Sequence, residues 1–222
     1  MYDINFFKKS SGIKKKITNR LLSKKEADDI SAELDLLRDK IPYIYNIETT
    51  NYCNMKCVMC PRTMFMTRKN IWINDDLFDK ITDKVRVHDD KSLNNFWSWL
   101  EKDYIYDPKE VSENGFYFSI ISKSLVLHGF GEPFLDKKLI ERLEICKKKK
   151  IPTYFSCTPA TMTVEKAKKA MNAGLGVLKF SLDAMDERKI QKIRGKRANF
   201  EDAVNKILEL VEYKKKKNLK TL

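Results

Sequence analysis

Three cysteines fall close together: Cys53, Cys57 and Cys60, in the run Cys53-Asn54-Met55-Lys56-Cys57-Val58-Met59-Cys60. Three residues separate the first pair and two the second, so the thiolates can converge on one metal centre. A structural zinc site normally takes four protein ligands, and ordinary four-cysteine iron–sulfur clusters use other spacings. Three thiolates leave one coordination position open. On a redox-active metal, such a position is where a small molecule binds and reacts. The same cysteines fit a zinc site completed by His128 or by a distant residue.

The elements that must position these thiols follow from the flanking sequence. Tyr43 to Thr50 is rich in β-branched and aromatic residues and predicts a strand, which puts the cysteines in the loop after it. Parallel α/β folds bind ligands at that edge. Later strands are predicted at Ser124 to Gly129, Pro152 to Thr158 and Val177 to Leu182. Helices are predicted near 75–86, 136–149, 164–174 and 199–216, with Asp136 and Asn199 as N-caps. Cys146 shares an apolar helical face with Leu139 and Leu143, and Cys157 ends the third strand; both read as small buried residues. The alternation predicts an α/β protein with a parallel sheet and right-handed crossovers.

The ends of these strands carry further marks. Phe130-Gly131-Glu132-Pro133 follows the second strand, Ser181-Leu182-Asp183-Ala184 ends the fourth, and Lys192-Ile193-Arg194-Gly195 comes next. With a CxxxCxxC loop followed by Pro61-Arg62, this set resembles the radical S-adenosylmethionine (radical SAM) superfamily, in particular the branch whose members often carry a C-terminal SPASM domain. The resemblance covers most of residues 42–222. It implies a partial TIM-type (β/α)6 barrel, here with about four strands. It also implies a [4Fe-4S] cluster on Cys53, Cys57 and Cys60, with SAM chelating the fourth iron through its amine and carboxylate. An electron from the cluster then cleaves SAM to a 5′-deoxyadenosyl radical that abstracts a substrate hydrogen. The Phe130–Gly131 backbone and Glu132 would bind the SAM amine, since a carboxylate accepts charge-assisted hydrogen bonds from an ammonium. Ser181 and Asp183 would reach the ribose or the carboxylate, Arg194 the carboxylate, and Met59 the adenine. Relatives often have Asn where Pro159 stands. The resemblance further implies an electron donor such as flavodoxin or ferredoxin, and a peptide or small-molecule substrate.

The 222 residues are 42% hydrophobic and 34% charged, enough for one core with embellishments. Five cysteines, three committed to one site, make no disulfide framework. No run is long enough to span a membrane, the N-terminus lacks the apolar core of a signal peptide, and the expected compartment is the cytoplasm. Net charge is +13, which invites a nucleic-acid reading. However, the lysines at 147–150 and 214–217 fall at predicted helix C-termini, where cations offset the macrodipole. The competing readings are a zinc-bound nucleic-acid module and an inactive, truncated radical SAM fragment.

Residues 1–41 are expected to be a helical extension before the core at 42–222, with Ser23-Lys24-Lys25-Glu26 as a capping box. Ala27, Ile30, Leu34 and Leu37 mark one helical face. Residues 87–122 read as an insertion, with a small helix near 91–103 and a strand near 116–122. It is rich in aromatics: Trp97, Trp99, Tyr104, Tyr106, Phe116, Tyr117 and Phe118. They read as internal packing or as a substrate lid. Leu219 to Leu222 resembles the opening of a fifth strand. A sheet ending at the fourth would leave an edge unpaired, so a fragment of a longer protein is expected.

Overall fold

The computed structural model describes residues 1–18, 20–103, 107 and 112–222. In chain order the helices are α1 (Ile4–Ile17), α2 (Lys24–Leu37), α3 (Pro61–Phe65), α4 (Asp75–Thr82), α5 (Asp90–Asp103), α6 (Glu113–Lys123), α7 (Leu139–Lys148), α8 (Val164–Asn172), α9 (Glu187–Arg194) and α10 (Phe200–Lys217). The strands are β1 (Leu125–Val126), β2 (Thr153–Cys157) and β3 (Val177–Phe180). The chain divides into two compact units: Met1–Tyr45 with Val85–Lys123, and Asn46–Lys84 with Ser124–Leu222. No described helix is long and apolar enough to cross a membrane.

The first unit is helical. Asp3 caps α1 by accepting from the Asn5 and Phe6 amides, and Ser23 and Glu26 form the reciprocal capping box that starts α2. Ile30, Leu34 and Leu37 are half-buried on α2, whereas Ala27 is exposed. Ile4, Phe96 and Leu100 form a buried cluster, and Phe7, Trp97, Trp99 and Phe118 pack against it. The Phe7 ring meets Phe96, Trp99 and Phe118 edge-on at 6.0, 6.0 and 5.8 Å, the geometry aromatic quadrupoles favour. The insertion's aromatics therefore share one core with α1. The segment expected as a strand near 116–122 is instead helix α6. A short apolar run fits either element, and here Ile120 and Ile121 are buried within a helix. Tyr104 and Tyr106 lie outside the described residues.

The second unit holds a parallel sheet in the order β1-β2-β3, with α7 and α8 as the intervening crossovers. Leu125 pairs with Thr153, and Tyr154 to Cys157 pair with Val177 to Phe180. The sheet continues on both sides. Asn46 bridges Val126 in parallel, and the Ile47 amide donates to the Val126 carbonyl at 2.9 Å. At the other edge, Leu222 accepts from the Leu178 amide and donates to the Gly176 carbonyl, each at 2.8 Å. Leu222 is thereby hydrogen-bonded along β3 in the parallel pattern.

The strand expected at 43–50 is reduced to single bridges at Asn46 and Thr50. Its backbone groups are engaged elsewhere: Thr50 bridges Trp72 in antiparallel sense, and the Ile73 amide donates to the Thr49 carbonyl. Buried Arg142 then ties both arms together, donating to the carbonyls of Thr49 at 3.0 Å and Ile73 at 2.8 Å while pairing with Asp136. Asp136 is therefore the buried partner of an arginine rather than the N-cap of α7, which Lys138 occupies without a side-chain cap. Asn199 does cap α10, accepting from the Asp202 amide. Helix α4 stops at Thr82. Cys146 is fully buried with Leu139 and Leu143, and burial pushes its thiol up to about 12.

Candidate functional site

The cysteine loop is clamped at both ends. The Asn51 side chain donates to the Lys69 carbonyl and accepts from the Ile71 amide at 2.9 and 2.7 Å. Arg62 closes the far side, donating through Nε to the Asn51 carbonyl at 2.9 Å. Pro61 occupies the first turn of α3, directly after Cys60, where a missing amide costs nothing. Within the loop the Thr63 hydroxyl donates to the Cys57 carbonyl. Cys57 is buried with Met55, Ile190 and Ala198, and half-buried Cys53 and Cys60 pack against the same cluster. Burial also raises the Cys53 thiol above its usual range. Met59 is half exposed, at 53%.

The loop after β1 lies against the chain that leads into the cysteines. The Glu132 amide donates to the Tyr52 carbonyl at 2.7 Å. A Cβ on Gly131 would fall 1.9 Å from the Thr50 carbonyl oxygen, so only glycine permits this approach. The Phe130 amide donates to Glu48 at 2.6 Å, and Glu48 pairs with Arg68. With that amide committed, the Phe130–Gly131 turn offers its carbonyl oxygens, which accept from no donor among the described residues.

Glu132 is 4% exposed. Its carboxylate accepts from the backbone amides of Thr158 at 2.9 Å and Phe134 at 3.4 Å. Among the described residues no lysine or arginine hydrogen-bonds it. Desolvation dominates and raises its pKa to about 7 despite those amides. A cation brought here would offset that cost, which fits an ammonium. The Thr158 amide precedes Pro159, so the proline leaves this contact intact. Cys157 is buried beside it, and burial, with Glu132's charge, pushes its thiol well up.

From β3 and α9 come the other expected residues. The Ser181 hydroxyl lies 3.0 Å from that of Ser156, and its amide donates to the Cys157 carbonyl. Asp183 and Arg194 form a salt bridge. Arg194 Nη1 also donates to the Cys57 sulfur at 3.6 Å, and the Val58 amide donates to the Ile193 carbonyl at 2.9 Å. Helix α9 is thereby fastened to the cysteine loop. The charge of Arg194 also acts on Glu132, and that of Glu132 on Cys53. His128 is neutral: burial, then the Lys179 charge, lowers it to about 4. Its Nδ1 accepts from the Ser156 amide at 3.3 Å, which leaves the proton on Nε2.

Among the described residues no three His, Cys, Asp or Glu side chains are arranged to hold a single metal ion. Cys53, Cys57 and Cys60 share one loop and pack around one apolar cluster, but they are not brought together as such a group. Sequence reasoning missed Glu48, Asn51, Arg62 and Arg142, which hold the frame. Apart from the Pro61-Arg62 that follows the third cysteine, no local pattern marks them.

These features define an α/β protein with a thiol-rich loop and a buried acid beyond the carboxyl ends of its parallel strands. The chain belongs to the radical SAM superfamily, whose family model matches residues 47–222. Proteins of this superfamily use a [4Fe-4S] cluster and S-adenosylmethionine. No curated protein matches the chain. Among solved structures it is similar to methylornithine synthase (PylB), at 16% identity and a TM-score of 0.46, covering 84% of this chain and 48% of that one. It is also similar to TYW1 with a lysine–pyruvate adduct bound, at 20% identity and a TM-score of 0.39, covering 71% of this chain and 46% of that one. The chain spans about half the length of these structures.

Proposed function

We propose that this chain is the core of a radical SAM enzyme that reductively cleaves SAM to a 5′-deoxyadenosyl radical. The radical takes a hydrogen atom from a substrate that is a peptide or a small molecule. The observation that carries the reading is geometric: Arg194 pairs with Asp183 and donates to the Cys57 sulfur, while the amide of buried Glu132 donates to the carbonyl of Tyr52, directly before Cys53. In this reading Cys53, Cys57 and Cys60 hold the [4Fe-4S] cluster, which supplies the electron that SAM cleavage consumes.

The chain's own residues bind and orient. The buried Glu132 carboxylate and the Phe130–Gly131 carbonyls accept from the SAM ammonium. That cation would lower the cost of keeping Glu132 ionised. Arg194 is the donor for the SAM carboxylate, held in place by Asp183, and its planar fork suits a carboxylate. Ser181 offers a hydroxyl for the ribose, and Met59 an apolar surface for the adenine. The loop and the strand ends supply position, while the hard chemistry belongs to the cofactors.

The test is anaerobic. The protein is reconstituted with iron and sulfide, given SAM and dithionite, and assayed for 5′-deoxyadenosine, with Cys57→Ala as control. Product that disappears in the variant is the expected result. A colourless protein that holds zinc would end this reading.

A further inference from the structure

Parallel pairing sets the strands of the second unit in register. Asn46 stands beside Val126, Val126 beside Tyr154, and Tyr154 beside Val177. One residue further on, Ile47, Leu127, Phe155 and Leu178 form a row, and all four are buried. The next residue of each segment faces the opposite side of the sheet. That row is Glu48, His128, Ser156 and Lys179. The first three are half-buried and Lys179 is exposed. Parallel sheets usually carry apolar side chains on both faces. An acid, an imidazole, a hydroxyl and an ammonium side by side are therefore not there to build a core.

The acid end of the row is already satisfied. Glu48 accepts from the Phe130 amide at 2.6 Å and pairs with Arg68 at 3.0 Å. The other three positions present donors. His128 Nδ1 accepts from the Ser156 amide at 3.3 Å, so the ring proton is on Nε2, which hydrogen-bonds to no described residue. The Tyr154 ring meets the imidazole edge-on at 5.2 Å and sets its plane. The Ser156 hydroxyl lies 3.0 Å from that of Ser181. With Ser181 donating, the Ser156 proton is left over, and Ser181 keeps lone pairs for the ribose. Lys179 stands beside Ser156 in the register, and its charge reaches His128.

Neighbouring strands lie about 4.8 Å apart, so the backbones of the three donor residues span about 10 Å. One permanent cation among them balances a single negative charge. Donors on neighbouring strands match the several lone pairs of one carboxylate, and the charged donor makes the strongest of the bonds. Ser156 lies two residues, or about 7 Å, before Thr158, whose amide holds Glu132 at the strand ends. The row thus sits one step into the sheet from the residues assigned above to SAM.

We propose that His128, Ser156 and Lys179 anchor a carboxylate of the substrate, which makes that substrate a small organic acid or amino acid. The inference rests on the enzyme reading above for what then happens to the substrate, and it adds the substrate's class. Anchoring makes and breaks no covalent bond. Lys179 supplies the attraction, and the two neutral donors fix the orientation of the carboxylate plane. Carbon a few bonds from the carboxylate then reaches the strand ends, where SAM is cleaved.

The test reads the ring nitrogens of His128. The chain has two histidines, so nitrogen-15 histidine labelling of the reconstituted full chain gives two sets of ring signals, which His88→Gln assigns. Propionate, propionamide and inorganic phosphate are each titrated in at constant ionic strength with SAM present. Propionate should shift the His128 signals and leave those of His88 in place, and propionamide should shift neither. Lys179→Met should weaken propionate binding at least about tenfold. Lys179→Arg should retain it, and Lys215→Met, in the last turn of α10, should leave it unchanged. A His128 signal that ignores propionate, follows propionamide equally, or responds in Lys179→Met as in wild type overturns the proposal. Tighter binding of phosphate than of propionate at this signal overturns the carboxylate assignment. A chain that forms 5′-deoxyadenosine with dithionite but shows no propionate response fails this proposal alone. One that binds propionate at His128 and forms no 5′-deoxyadenosine supports the anchor and fails the enzyme reading.

Discussion

Arg194 donates to the sulfur of Cys57 at 3.6 Å across 137 residues of sequence. The contact joins the end of α9 to the middle of the cysteine loop. Together with the Asp183 salt bridge, it holds one guanidinium between a candidate cluster ligand and a candidate SAM-binding acid. Arg194→Lys keeps the charge but loses the fork. The reconstituted variant should keep its iron and its melting temperature while binding SAM about tenfold more weakly, as read by isothermal titration. Unchanged SAM affinity would show that the arginine serves only the loop.

Glu132 makes the stability of the metal-free protein depend on pH. Burial raises its pKa to about 7 from an ordinary 4.5, so between those values the folded state binds more protons than the unfolded one. Its contribution is fully present below about 4.5 and is lost as pH rises through about 7. The loss is on the order of 3 kcal/mol. Urea midpoints of the metal-free protein should show wild type losing ground to Glu132→Gln between pH 5 and pH 8. A gap that stays constant with pH would mean that the carboxylate is not buried as described.

Gly131→Ala tests the close approach beside the cysteines. A Cβ there meets the Thr50 carbonyl at 1.9 Å, so backbone must move. We expect a loss of about 1–3 kcal/mol or more and impaired cluster assembly, measured by urea melts and iron content. Gly12→Ala is the control: nothing lies within 4 Å, and in the interior of α1 it should stabilise by about 0.5–1 kcal/mol.

Arg142→Met removes the tie between the Thr49 and Ile73 carbonyls and strands a buried Asp136. The expected cost is about 3–5 kcal/mol. Adding Asp136→Asn should recover part of it, which a double-mutant cycle by chemical denaturation would read. Full additivity of the two changes would argue against the pair.

Phe96→Ala empties the centre of the first unit's aromatic core, where Phe96 is fully buried. A loss of about 3–5 kcal/mol is expected, with reduced near-ultraviolet circular dichroism. A variant that melts with wild type would show that this core contributes little.

The candidate site residues are marked locally in the chain. Cys53, Cys57 and Cys60 are set by spacing, Gly131-Glu132-Pro133 by turn chemistry, and the N-caps Ser23 and Asn199 by residues within one helical turn. Such features depend on neighbours a few residues away, so the sequence alone discloses them. Alternating strand and helix patterns also disclosed a parallel sheet, while the order β1-β2-β3 and the hydrogen bonds between Leu222 and β3 came from the tertiary structure. What it could not disclose depends on partners far along the chain. The apolar run at 113–123 fits strand or helix until its neighbours are known, and packing made it α6. Thr49 and Thr50 have strand-forming side chains, yet their backbone groups go to Ile73, Trp72 and Arg142. Asp136 has an N-cap's chemistry, but a buried guanidinium six residues on claims its carboxylate. The cleft lined by Lys56, Arg194, Lys196 and Arg197 forms where a glycine turn after α9 lies against the loop that carries Lys56. Spacing along the chain sets which groups are present, and only the packed structure decides which charges lack a partner and which backbone groups are already satisfied.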